Sequence, residues 1–161
     1  MTSKISILYD TIRLEEKLLI ESAKKNDISI DMVDCKKLFL DLNEKNCFDG
    51  PVLQRCVSYY RNLHSTAALE GQGVKVVNCL NTGIFAGNKL FTHMLLQKAG
   101  VPTPDATVAF SKDAALDALK KHGFPKIIKP TVGSWGRICL LYTSDAADDM
   151  QCVDLGGRRI I

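Results

Sequence analysis

Three places in the chain carry residue types that could grip a polyanion. Lys89 follows Asn88 at what reads as the first turn of a helix. A cation is disfavoured there, because a helix N-terminus already carries partial positive charge. The placement makes sense if an anion binds, sharing the ammonium and the free N–H groups of the first turn; a lysine swinging into solvent is the plain alternative. Lys129 closes an apolar run, KIIK, just before Pro130. Alternation sets it on the face opposite Ile128, where it could reach a phosphate or serve as a charge guarding a sheet edge. The third place is Gly133, Ser134, Trp135, Gly136 and Arg137. Its glycines allow close backbone approach and positive φ, and successive N–H groups in such a loop form an anion-binding concavity. Ser134 adds a hydroxyl, Arg137 a guanidinium fork, and Trp135, the only tryptophan, could cover a ligand or pack under the loop. The loop is neither GxxxxGK[ST] nor GxGxxG, and an ordinary hairpin turn would also suit it.

The elements that must hold these residues follow from periodicity. Residues 4–9 (KISILY) read as a buried strand. Leu14, Leu18, Leu19, Ser22 and Ala23 fall at helical spacing, ended by Asn26 and Asp27, and residues 28–33 read as a second strand. Strand, helix, strand at this spacing is a βαβ unit with parallel pairing and a right-handed crossover. Residues 51–57 give a third strand. Tyr59, Leu63, Thr66 and Ala67 mark a helix stopped by Gly71 and Gly73, and residues 74–77 give a fourth strand. After a turn-rich junction, residues 81–85 suggest a short helical piece. A helix follows over 88–99, with Phe91, Met94, Leu95 and Ala99 on one face, stopped by Gly100, Pro102 and Pro104. Residues 107–110 read as a strand. Ser111 reads as an N-cap for a helix bearing Ala115, Ala118, Leu119 and His122, ended by Gly123, and residues 126–129 as the next strand. The fold class expected is α/β: a Rossmann-like βαβ layer, then a second, smaller unit.

Composition sets outer limits. In 161 residues, 46% hydrophobic and 24% charged, with net charge +3, there is room for one domain or two small ones. No stretch approaches the ~18 apolar residues of a membrane span. MTSKISILYD lacks the pattern of a secretion signal, so a cytoplasmic location is expected. No arginine-rich stripe with interleaved aromatics suggests nucleic-acid binding. The six cysteines, Cys35, Cys47, Cys56, Cys79, Cys139 and Cys152, form no CxxC pair and are expected to be free thiols in a reducing compartment. His64, His93 and His122 have no nucleophile or metal partner in the pattern and read as structural or surface residues.

GNKLFTHMLLQKAGVPTPDATVAF, then GFPKIIKP, then GSWGR, together resemble the nucleotide half of the ATP-grasp ligases. With KISILYDTIRLEEKLL and RCVSYYRNLHSTAALEGQGVKVVN, the chain is similar within that group to the RimK-type amino-acid ligases, and among them to the LysX family. The resemblance covers residues 1 to about 138. It implies a pre-ATP-grasp domain over 1–85 and the start of a truncated ATP-grasp lobe over 86–138. Lys89 and Lys129 would contact ATP phosphates, Lys129 also lying near the adenine. Gly133, Ser134, Trp135, Gly136 and Arg137 would close over the β- and γ-phosphates. The implied reaction couples α-aminoadipate to the C-terminal glutamate of an acidic carrier protein, LysW, through an acyl phosphate, in lysine biosynthesis. Magnesium would assist, with its ligands and the catalytic residues further along a full-length chain. A homo-oligomer is implied at full length. Glutamate in place of α-aminoadipate, as in arginine biosynthesis, stays open, as does a βαβ binding module with no chemistry.

The stretch from Cys139 onward breaks the resemblance. CLLYTSDAAD and CVDLGGRRII read like in-frame translations of the two adapters of a sequencing library. Residues 139–161 are therefore expected to be a non-native tail, and the chain a fragment inactive by itself, with the apolar faces of its second lobe exposed. ICLLYT is nonetheless apolar and β-prone, able to pair as a strand whatever its origin.

Overall fold

The computed structural model describes residues 4–44, 48–133 and, as backbone, 140–142. They fall into two compact units, Met1–Gly87 and Asn88–Ile161.

The first unit alternates strand and helix: β1 (Ile5–Tyr9), α1 (Leu14–Lys25), β2 (Ile30–Asp34), β3 (Val52–Gln54), α2 (Tyr59–Gly71), β4 (Val76–Val77) and α3 (Leu80–Ala86). The four strands are parallel, in the order β2-β1-β3-β4. β1 is central, with Ile5 opposite Ile30 on one side and Ser6 opposite Val52 on the other. Parallel strands covered on both faces read as continuous apolar runs rather than alternating ones, and Ser6, Ile7 and Leu8 are all buried. Leu8, Val52, Cys56, Leu69, Val74 and Val76 form the core, with Val33, Cys35, Leu38, Leu40 and Phe48 packed around it. Burial of such side chains contributes roughly 1.5–3 kcal/mol each before conformational entropy is set against it.

Polar contacts fix α2 on the sheet and against α3. The Gln54 amide donates to Ser65 Oγ at 2.8 Å and Thr66 Oγ1 at 3.1 Å, and its carbonyl accepts from Cys56 N–H. At the far end of the unit, Gly87 lies against the ring of Tyr59, whose hydroxyl donates to the Ile84 carbonyl. Cys35, Cys56 and Cys79 are free thiols; Cys47, Cys139 and Cys152 lie outside the residues for which side chains are described.

The second unit contains α4 (Lys89–Lys98), α5 (Lys112–His122), β5 (Lys126–Ile128) and β6 (Leu140–Tyr142), the last two antiparallel with Lys126 opposite Tyr142. Ser111 caps α5 by accepting from Ala114 N–H, and Gly123, at φ 68°, ends it, a conformation glycine adopts without a Cβ penalty. Gly100, at φ 71°, follows α4. Residues 107–110 are not a strand. Alternation such as TVAF makes a strand only where a neighbour completes its hydrogen bonds, and none pairs with it among the described residues. α4 buries none of its residues, and Phe91, Met94, Leu95 and Leu96 are all more than a third exposed, as the sequence led us to expect.

Candidate functional site

The N-terminus of α4 and the chain leaving β5 meet in the second unit. Asn88 pairs antiparallel with Val132, and Lys89 N–H donates to the Thr131 carbonyl at 2.7 Å. The Lys89 ammonium then donates to the Gly133 carbonyl at 2.6 Å. Gly133 has φ 139°, open to glycine and strained for any residue with a Cβ. Two of the three places singled out in the sequence, Lys89 and Gly133, are thus hydrogen-bonded to each other. Lys129 sits one residue beyond β5, exposed on the same side as Ile127, with Ile128 turned inward. Ser134, Trp135, Gly136 and Arg137 lie outside the described residues.

One expectation is corrected here. The first-turn N–H groups of α4 are not free to share an anion with Lys89. Asn88 Oδ1 accepts from Leu90 N–H at 3.0 Å and Phe91 N–H at 3.3 Å, Lys89 N–H goes to Thr131, and Thr92 N–H goes to the Asn88 carbonyl. Asparagine is a strong N-cap because its carbonyl takes these orphan donors. What remains for an anion is the exposed ammonium, a mobile point charge with three donors.

The first unit holds a set of charges that sequence inspection missed. Glu16, fully buried, accepts from Arg13 N–H and Arg13 Nε on one oxygen, and from Arg13 Nη2 and Arg55 Nε at 2.9 and 2.8 Å on the other. The Arg13 side chain, together with its N–H and Arg55, outweighs burial and holds the Glu16 carboxyl down at about 2. Asp10, also buried, accepts from Val57 N–H, Ser58 N–H and Arg61 Nη1. Burial pushes its carboxyl up, but these three contacts together prevail and hold it below the usual carboxylate range. The pairs join residues 39 and 51 positions apart, so no local motif announces them. The available signal was Asp10 at the carboxyl end of a buried strand, followed by Arg13 and Glu16 at capping spacing. Glu16 reaches back to its cap as a capping-box glutamate does.

Cys56 is buried beside Cys35, and burial first and then that neighbour push its thiol well up. Cys79, exposed, is lowered by its hydrogen bond to Thr82. His64 packs against Tyr60, and His93 and His122 lie on α4 and α5. Among the described residues no group of three or more His, Cys, Asp or Glu could hold a metal ion. No helix among them is long and apolar enough to cross a membrane.

Comparison with known proteins bears on this arrangement. Residues 5–84 match the family described as the LysX preATP-grasp domain. Over 138 residues the chain is 36% identical to a glutamate–LysW ligase, ArgX, of Sulfolobus acidocaldarius, covering 86% of this chain and 49% of that protein. It is 38% identical over 131 residues to the α-aminoadipate–LysW ligase LysX of the same organism, covering 79% and 48%. The chain spans about half the length of the curated relatives it matches. Among solved structures, a RimK-domain ATP-grasp protein of Sphaerobacter thermophilus superposes with a TM-score of 0.76 at 25% identity, covering 90% of this chain and 57% of that one. The parallel four-stranded layer over residues 5–84 thus belongs to the LysX preATP-grasp family, and the chain as a whole has the fold of a RimK-type ATP-grasp neighbour.

Proposed function

We propose that this chain is the nucleotide-side portion of an ATP-dependent carboxylate–amine ligase. The observation that carries the reading is the Lys89 ammonium set on the carbonyl of Gly133, the first residue of the glycine-rich stretch and two residues past Thr131. An ammonium hydrogen-bonded to the start of a glycine-rich stretch that follows Lys129 by four residues suits a triphosphate, whose charge must be neutralised for phosphoryl transfer. In this reading Lys89 exchanges Gly133 for a phosphate oxygen and Lys129 supplies a second cation. Ser134, Trp135, Gly136 and Arg137 cover the nucleotide. ATP phosphorylates a carboxylate, the acyl phosphate forms, and an amine displaces phosphate to give the amide. Magnesium, when bound, would offset the crowded phosphate charge.

The relatives' names supply the finer proposal. The carboxylate is the C-terminal glutamate of the carrier LysW, and the incoming amine belongs to a small acidic amino acid. α-Aminoadipate is our first choice, with glutamate the alternative that the ArgX relatives favour. We place residues 1–85 as the pre-ATP-grasp domain, 86–138 as the start of the nucleotide lobe and 139–161 outside the native ligase, and expect no coupling by this chain alone. The test is nucleotide binding followed by fluorescence of the sole tryptophan. ATP should produce a saturable change, weakened roughly tenfold in Lys89→Ala and in Lys129→Ala, the loss of one charge-assisted contact each. Equal ATP binding by wild type and both variants would overturn the assignment, and no ATP response in wild type would favour a binding module without nucleotide chemistry.

A further inference from the structure

The strand order β2-β1-β3-β4 changes direction between β1 and β3. In open parallel sheets the helices that follow two such strands diverge to opposite faces and leave a crevice beyond the carboxyl ends, where ligands bind. Here that position falls between residues 10–13, which lead from β1 to α1, and residues 55–58, which lead from β3 to α2, joined at Asp10 by the Val57 and Ser58 N–H groups. Two ion pairs also link the two sides. Arg55, on the β3 side, reaches Glu16 in α1, and Arg61, in α2, reaches Asp10 at the end of β1.

Both pairs have a buried acid and an open base. The side chains of Glu16 and Asp10 are 0% and 2% exposed, those of Arg55 and Arg61 29% and 49%. Among the described residues Arg55 spends only Nε and Arg61 only Nη1. The other guanidinium donors have no partner among the described residues, and each arginine is tethered by one N–H to a buried carboxylate. Arg13 shares the Glu16 oxygen and is itself 27% exposed, with half-exposed Glu15 at 3.7 Å. Counting Glu15, the three cations meet three anions. A dianion such as phosphate would add two negative charges beside two buried carboxylates, whereas a carboxylate adds one and matches the planar two-donor edge of arginine.

We propose that Arg55 and Arg61 form a carboxylate-binding subsite at this position, taking a small carboxylic acid through their unspent N–H groups, with Arg13 positioning Arg55 through Glu16. The subsite belongs to the first unit alone and does not depend on the nucleotide reading. The whole chain, labelled with nitrogen-15, is titrated with glutarate while the arginine side-chain signals are followed by NMR. Glutaramide serves as the uncharged control and inorganic phosphate as the dianion. Glutarate should shift the Arg55 and Arg61 signals saturably at ~1–10 mM, the affinity range of a small polar ligand. Glutaramide should leave them unmoved, and phosphate should bind more weakly than glutarate. Arg55→Lys and Arg61→Lys, which keep the charge and lose the fork, should each weaken glutarate roughly fivefold or more. No saturable shift in the wild-type chain, an equal response to glutaramide, or tighter binding of phosphate would each overturn the proposal. The wild-type titration decides it even if a variant fails to fold. Glutarate is read without nucleotide, so failure of the ligase assignment leaves this result standing.

Discussion

At the scale of single residues, Glu16 is the acid whose surroundings do most. It has no exposure, yet four donors from two arginines converge on it. Glu16→Gln keeps the shape and removes the charge. Because both arginines retain some water, we expect a loss of about 1–3 kcal/mol in urea unfolding rather than the larger cost of a fully buried pair. The carboxyl falls from an ordinary 4.5 to about 2 on folding. The folded state therefore binds this proton more weakly than the unfolded one. The stability Glu16 lends is complete above 4.5 and drains away as pH falls toward 2. The gap between wild type and Glu16→Gln should be widest near neutrality and close across that interval; a gap independent of pH would contradict the charge-based account. Gly87 gives a steric counterpart. A Cβ there would run into the Tyr59 ring and lie 2.7 Å from the Gly83 carbonyl. Gly87→Ala should cost about 1–3 kcal/mol, as overpacking does, measured as a lowered midpoint of thermal unfolding.

At the scale of elements, Asn88 sets how α4 begins. Asn88→Ala strands the N–H groups of Leu90 and Phe91, and should destabilise the helix by about 1 kcal/mol. Amide hydrogen exchange at Leu90 and Phe91 should speed up, while α5, capped by Ser111, stays protected. These helices show what a sequence exposes of itself. Their starts and stops follow from side chains within a few positions, so Ser111, Gly100 and Gly123 could be read directly. The parallel β1–α1–β2 layer was legible for a related reason, since a buried run followed by a helix-period segment leaves few topologies open. Residues 107–110 fared differently, because strand formation depends on a partner that alternation does not specify. The candidate site was half legible. Lys89 and Gly133 could be chosen by residue type. Their direct contact, and the bond of Lys89 N–H to the Thr131 carbonyl, depend on a backbone bridge between positions 44 apart in sequence, whereas the capping of Leu90 and Phe91 by Asn88 is local.

At the scale of the whole molecule, the two units differ in how much they bury. The unit ending at Gly87 owns the core, whereas α4 buries none of its residues and shows Met94 at 59% exposure. Large apolar exposure of this kind invites association and cleavage. Limited proteolysis should degrade the chain from about residue 86 onward while a fragment retaining the parallel layer survives; uniform resistance along the full length would contradict this. Cys56 offers a way to time that difference. Its sulfur lies under the sheet's carboxyl edge, 3.9 Å from the Leu8 carbonyl, and its thiol resists ionisation, whereas Cys79 stands in solvent with a thiol that ionises more readily. Iodoacetamide will mark Cys79 at once and reach Cys56 only when β1 and β3 part. Peptide-resolved mass spectrometry of the two alkylation rates then becomes a stopwatch for the opening of this layer, needing no added probe.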